Sequence, residues 1–293
     1  MMNLQIRNAL LASTIFFVVP PAFAQIIVSD VALFYRVFDA AHGQPTVTEI
    51  QKDYLDAGSK GLREFVPERI VSAQNLVNVI TRRPKSFINA KECIPALSAI
   101  EKHAPSLISQ LKEIYPNAIA PSVTIVVGAA NSGGTASPEV GVILSLEVTC
   151  ENRTHSSLPL EQRFIDILAH EIVHTQQHNE WNNTVLSVSL TEGIADFLGE
   201  LMSGHNANEH LKLWTKGKEA EIKKRFYADM DKSDLSQWLY TGLGTPDHPG
   251  DLGYWVGYQI AKSIYIQTPD KSAAVSRLLE EHDPKSLLRE SGW

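Results

Sequence analysis

His170-Glu171-Ile172-Val173-His174 is the stretch from which the rest of the chain is read. On a helix, residues four apart lie one above the other on a single face, with Cβ atoms roughly 5–6 Å apart. Two imidazoles at that spacing converge on one metal ion. Glu171 stands about 100° round the helix, near enough to reach a water at the metal without ligating it. A hydrolytic zinc takes three protein ligands and keeps a fourth position open, so a third ligand must come from elsewhere.

One route to that ligand is His-x-x-Gly-x-x-His, and the chain does not follow it. Gln177 stands where a glycine would turn the backbone, and Glu180 where the histidine would be. The other route is a glutamate from a second helix. Thr191-Glu192-Gly193-Ile194-Ala195-Asp196 offers Glu192, eighteen positions after His174. That is enough chain for one helix to end, a connection at Asn183 to Leu190 to turn back, and a new helix capped by Thr191 to run to about Met202. Asp196, four residues after Glu192, shares its face and can hydrogen-bond the distal nitrogen of a ligating histidine, fixing its tautomer.

Outward from this motif the pattern is helices, a small sheet, then helices, which predicts an α+β, mostly helical fold. Val31 to about Tyr115 is helical in period, with breaks expected at Gly43-Gln44-Pro45, Pro84, Pro105 and Pro116. Val123 to Val127 reads as a strand and Asn131 to Gly134 as a loop. Val140 to Thr149 alternates, which predicts a half-buried strand near a sheet edge with Glu147 on its polar side. Pro159 and Leu160 open the motif helix, expected to reach about Asn179. Polar Glu209 to Met230 and Leu235 to Tyr240 read as helical. An apolar helix from about Tyr254 to Gln267 and two short helices after Asp270 and Asp283 complete the chain.

Composition sets limits on function. Hydrophobic content of 44%, charged content of 20% and a formal charge of −7, without a long Lys/Arg run, argue against nucleic acid or an anionic membrane as partner. Residues 1–24 read as an export signal: Arg7, an apolar run from Ala9 to Val19, and Ala22-Phe23-Ala24 before Gln25. The expected location is therefore the bacterial periplasm or the medium, with no membrane contact after cleavage. Residues 25–293 then form one domain, divided into an N-terminal helical part (25–120), a small sheet (121–155) and a catalytic helical part (156–293). Cys93 and Cys150 permit a disulfide in that compartment, or pack as two buried thiols.

His-Glu-x-x-His followed by Glu-x-x-x-Asp resembles the gluzincin metallopeptidases. The resemblance implies a zincin-like fold, zinc on His170, His174 and Glu192, Glu171 as general base and Asp196 behind a zinc histidine. Glu-Gly-x-Ala-Asp and Gly253-Tyr254-Trp255-Val256-Gly257-Tyr258 extend the likeness to a bacterial family of predicted zinc-dependent proteases related to gliding-motility lipoproteins. It runs from the strands to the C-terminus; the N-terminal helices match nothing specific. The Gly-x-Met-Glu-Asn anchor of aminopeptidases is missing.

The implied activity is hydrolysis of a peptide or protein. Tyr254 is the first candidate to steady the oxyanion, since Tyr254 and Gly257 resemble a Tyr-x-x-Gly arrangement, and Tyr258 is the second. Glu147 is a candidate for holding a free amino terminus beside an edge strand. His248 is placed in the loop before the tyrosines, and His178 in solvent or at the cleft rim. Two other readings stay open: a non-catalytic exported protein with structural zinc, and a zinc hydrolase of a non-peptide amide or ester.

Overall fold

In the computed structural model, which describes residues 25–151, 157–206, 208–242, 244–245, 247 and 249–293, the chain enters through a short strand, Ile26–Ile27 (β1). The export signal read at residues 1–24, and His248, lie outside the described residues. Helices follow at Ser29–Ala40 (α1), Val47–Glu49 (α2) and Lys60–Phe65 (α3). The second and third continue as π-helical turns, Ile50–Leu55 and Val66–Ile70. Then come Ala73–Arg82 (α4), Pro84–Lys91 (α5) and Leu97–Ile114 (α6).

Short polar residues start three of these helices: Thr46 forms a capping box with Glu49, and Ser59 and Ser72 accept from the backbone three residues on. Pro84 opens α5, where a missing N–H costs nothing. Pro105, expected to break the chain, instead lies inside α6. The buried face of that helix, Leu97, Ile100, Ala104, Leu107, Ile108 and Leu111, carries it through the proline.

Three further strands precede the motif helix, two of them in an unexpected form. Val123–Val126 (β2) is wholly buried, as its β-branched run predicts. Gly134–Ser137 (β3) overlaps the residues expected to be loop, and Gly141–Ser145 (β4) is shorter than the strand expected over Val140 to Thr149. The sheet order is β1-β2-β4-β3; β1, β2 and β4 run parallel, and β3 lies antiparallel to β4 at the edge. So β4 is an inner strand, and the edge belongs to β3.

Leu146–Glu151 is a helical turn (α7), not strand. Burial of Leu146 and Thr149, three apart, fits a helix as well as the alternation fits a strand. Three ties decide the matter. Thr149 donates to Ser145 O, Cys150 is disulfide-bonded to Cys93 on the helical side, and the Glu151 carboxylate grips Arg83.

The C-terminal half is helical: Leu160–His174 (α8), Val185–Ser203 (α9), Glu209–Thr215 (α10), Glu219–Asp229 (α11), Leu252–Gln267 (α12), Lys271–Glu280 (α13) and Pro284–Ser291 (α14). Helix α8 ends at His174 rather than near Asn179. The Gln176 side chain turns away to bond Ile119, and the chain folds back with it. Helix α9 begins six residues before Thr191, because Thr184 and Ser187 form the capping box. The helix expected at Leu235 to Tyr240 is a series of turns.

Helices α9 and α12 cross backbone to backbone. A Cβ on Gly193 would stand 2.1 Å from Tyr258 N, and one on Gly257 1.7 Å from Ser189 O. Only glycine at both positions permits this approach. The crossing brings the start of α12, with Tyr254, against the part of α9 that carries Glu192. With this arrangement the fold is α+β and mostly helical, as the pattern predicts.

Candidate metal centre

Helix α8 presents His170 and His174 on one face, and α9 brings Glu192 across to them. The two Nε2 atoms lie 3.0 Å apart, and Glu192 Oε2 lies 3.3 Å from His170 Nε2 and 3.4 Å from His174 Nε2. Donors about 2.0–2.1 Å from a tetrahedral zinc are separated by roughly 3.3 Å. Two imidazoles and a carboxylate at these spacings therefore suit that metal, and no fourth His, Cys, Asp or Glu joins the group among the described residues.

The far sides of the ligands are held. Asp196 Oδ1 bonds His170 Nδ1 at 2.8 Å, and its other oxygen accepts from the Asn208 amide. Gln177 Oε1 bonds His174 Nδ1 at 2.7 Å, and its amide donates to Thr191 O on α9. Each histidine thus has Nδ1 engaged outside and Nε2 turned to the common point, the arrangement that fixes a ligating tautomer. Tyr240 donates to Glu192 Oε1 at 2.8 Å, leaving Oε2 for the histidines.

Charge follows from this geometry. Burial would raise the Glu192 carboxyl, but His174 and His170 outweigh it and hold it well below the carboxylate range. Burial likewise pulls His170 down, but Asp196 and Glu192 overcome it and hold the imidazole well above its ordinary value. The cluster places the Glu192 and Asp196 carboxylates around the two imidazoles, a charge arrangement that could hold a cation.

Glu171 sits beside this group and is not one of the three. It is buried, 6% exposed, and its Oε2 has no hydrogen-bond partner. Burial pushes its carboxyl above the usual value, partly offset by His174 and His170. The other oxygen lies against β3: a Cβ on Gly134 would come within 2.7 Å of Glu171 Oε1. Gly134 therefore leaves room for the carboxylate.

The tyrosines separate. Tyr254 lines the cleft, its ring stacked on His170 with centroids 6.2 Å apart. Burial, then the charge of Glu192, keeps its phenol protonated far above neutrality. Tyr258, one turn on, is outside the cleft lining; it packs edge-on to Phe197 with Lys212 over its ring. Tyr240, which no motif marks, takes the place beside Glu192. It has positive φ (58°), and the adjoining Thr241 is pinned by Asp251.

Glu147 does not face the cleft. It lies on α7, fully buried, and accepts from Gly128 N and Ala130 N, both at 3.0 Å. A terminal amine cannot reach it there, so the amino-terminus role is withdrawn. His178 is exposed past the end of α8, its N–H bonded to Leu279 O.

The cleft has a volume of about 750 Å³ and is bounded by α8 and α9, by Gly133 to Ala136 of the β3 edge, and by Tyr240, Gly242, Asp251 and Tyr254. Strand edge, ligand cluster and Glu171 thus share one depression. No curated protein matches the chain. A family profile matches residues 124–282, from β2 through α13, which include the ligand cluster, Glu171 and both cleft tyrosines. The chain belongs to the family described as Predicted Zn-dependent protease (DUF2268).

Proposed function

We propose that the chain is an exported zinc-dependent peptidase in which His170, His174 and Glu192 hold the metal and Glu171 moves the protons. The observation that carries this reading is Glu171 Oε2, buried without a partner beside three converging ligand atoms. A structural zinc has no use for such a carboxylate and usually closes its fourth position with protein. Zinc bound here supplies a Lewis acid that lowers the pKa of water toward about 7 and draws charge from a carbonyl.

Glu171 accepts a proton from water as the water oxygen bonds the carbonyl carbon. It returns that proton to the amide nitrogen as the C–N bond breaks, so the amine leaves neutral. Tyr254, protonated and stacked on His170, is the candidate donor to the oxyanion. Tyr240 positions Glu192 by occupying its second oxygen. Asp196 and Gln177 keep the imidazoles in the ligating tautomer.

The test compares zinc content and hydrolysis of a peptide library for the wild type and Glu171→Gln. Equal zinc with turnover only in the wild type is expected. A wild type that holds zinc and cleaves nothing, or a variant that cleaves equally well, sinks the proposal.

A further inference from the structure

Arg69 is the only arginine or lysine among the described residues lining the cleft, which also holds Glu171, Glu192, Asp196 and Asp251. It comes from the N-terminal helical part, outside the stretch matched by the family profile. It sits in the last turn of the π-helical segment Val66–Ile70, just before Val71, whose φ of 70° ends the helix abruptly. The Asn131 amide donates to Arg69 O at 2.8 Å, tying this turn to the residues that lead into β3.

The Arg69 guanidinium makes no hydrogen bond or ion pair among the described residues, and its Nε is buried without a partner. Its Nε–H is shielded from water without an acceptor, a costly state, while the rest of the half-buried side chain faces the cleft. Its natural complement is a planar carboxylate, which a guanidinium grips through two parallel N–H bonds.

The sheet indicates where that carboxylate would come from. β3 pairs with β4 on one side, and Gly133 to Ala136 border the cleft. A peptide can add to a sheet edge as a further strand. Laid antiparallel to β3, as β4 is, it runs with its carboxyl end toward the start of β3. Glu171 lies against Gly134, at that start, and Asn131 is three residues farther on. At about 3.4 Å per residue, only roughly one to three substrate residues fit between Glu171 and Arg69.

We propose that Arg69 binds the free carboxyl terminus of a peptide whose cleaved bond lies at Glu171, which makes the preferred reaction removal of a short C-terminal piece. This rests on the peptidase reading for the cleavage but not for the binding. An Asp or Glu side chain offers the same carboxylate, so the test must separate the two sources.

Full-length, zinc-loaded Glu171→Gln protein is titrated calorimetrically with one hexapeptide in three forms: free acid, C-terminal amide, and amide with aspartate as last residue. The free acid should bind about tenfold to a hundredfold tighter than either amide. Adding Arg69→Gln should erase the difference, and Arg69→Lys should restore part of it. Equal affinity for all three forms, or no binding of any, overturns the proposal. Recovery of affinity by the aspartyl amide also overturns it, in favour of side-chain recognition. The acid-to-amide comparison decides even if an Arg69 variant fails to fold.

Hydrolysis by the wild type is read separately. Equal cleavage of acid and amide leaves the peptidase reading standing and removes Arg69. Selective binding without any cleavage does the reverse.

Discussion

Glu147 and Glu171 are buried on neighbouring helices of the same wall, and the molecule completes them in opposite ways. Glu147 on α7 has one oxygen on Gly128 N and the other on Ala130 N, at 3.0 Å each. Its surroundings satisfy it, and in return it fixes the loop that leads toward β3. Glu171 on α8 has an oxygen that bonds nothing. Burial raises both carboxyls, so desolvation alone does not distinguish them. What differs is whether the backbone supplies partners. A buried carboxylate with full partners is structure, and one left open toward a cleft beside metal ligands is reserved for an incoming molecule.

The comparison breaks most visibly at Glu171→Gln. General-base removal should lower turnover by about 10²–10⁴-fold. Because Oε2 has no protein partner to lose, the same change should leave thermal stability undiminished. A variant that loses activity only because it melts would put Glu171 in the structural class with Glu147, and parallel melting and rate measurements settle that.

Asp196 lies between the two, with both oxygens bonded to side chains that themselves serve the site. Asp196→Asn keeps its shape and removes its charge. Zinc affinity, measured by competition with a chelator, should fall about tenfold to a hundredfold while Glu171 stays in place. Unchanged affinity would make Asp196 a packing residue.

The convergence of His170, His174 and Glu192 could be read from the sequence because it depends on spacing along two helices. The i, i+4 rule holds wherever a helix forms, and α8 and α9 are long enough that errors at their ends leave the ligands in register. Both ends differ from the pattern: α8 stops at His174 and α9 starts at Val185. Two residues of the site, Tyr240 and Gln177, are not legible in this way, for different reasons. Tyr240 reaches Glu192 from forty-eight positions away, through a turn with positive φ. Gln177 was visible only as a misfit to a glycine position, although a glutamine three residues past a histidine can reach back to its Nδ1. Glu147 was misplaced because ten alternating residues fit a strand and a strand-plus-turn equally well. Its partners, Gly128 and Ala130, add to the ties of Thr149, Cys150 and Glu151 that favour the helix.

Glu147→Gln tests the structural side of the comparison with the smallest expected effect. The amide keeps one acceptor but turns an N–H₂ toward a backbone N–H, leaving that donor unmatched in a dry site. The expected loss is about 1–2 kcal/mol in urea unfolding, with the activity of the folded fraction retained. Its pH dependence has a definite sign. Burial raises the folded Glu147 carboxyl above its ordinary 4.5, despite the two backbone N–H groups. The protonated form is thus favoured in the folded state. The stability it contributes is complete below about 4.5 and declines as pH rises through the raised folded value. Glutamine does not titrate. The advantage of wild type over Glu147→Gln should therefore be widest in acid and narrow as pH rises across that window. A gap that widens with pH would mean that the amides of Gly128 and Ala130 stabilise the carboxylate by more than burial penalises it.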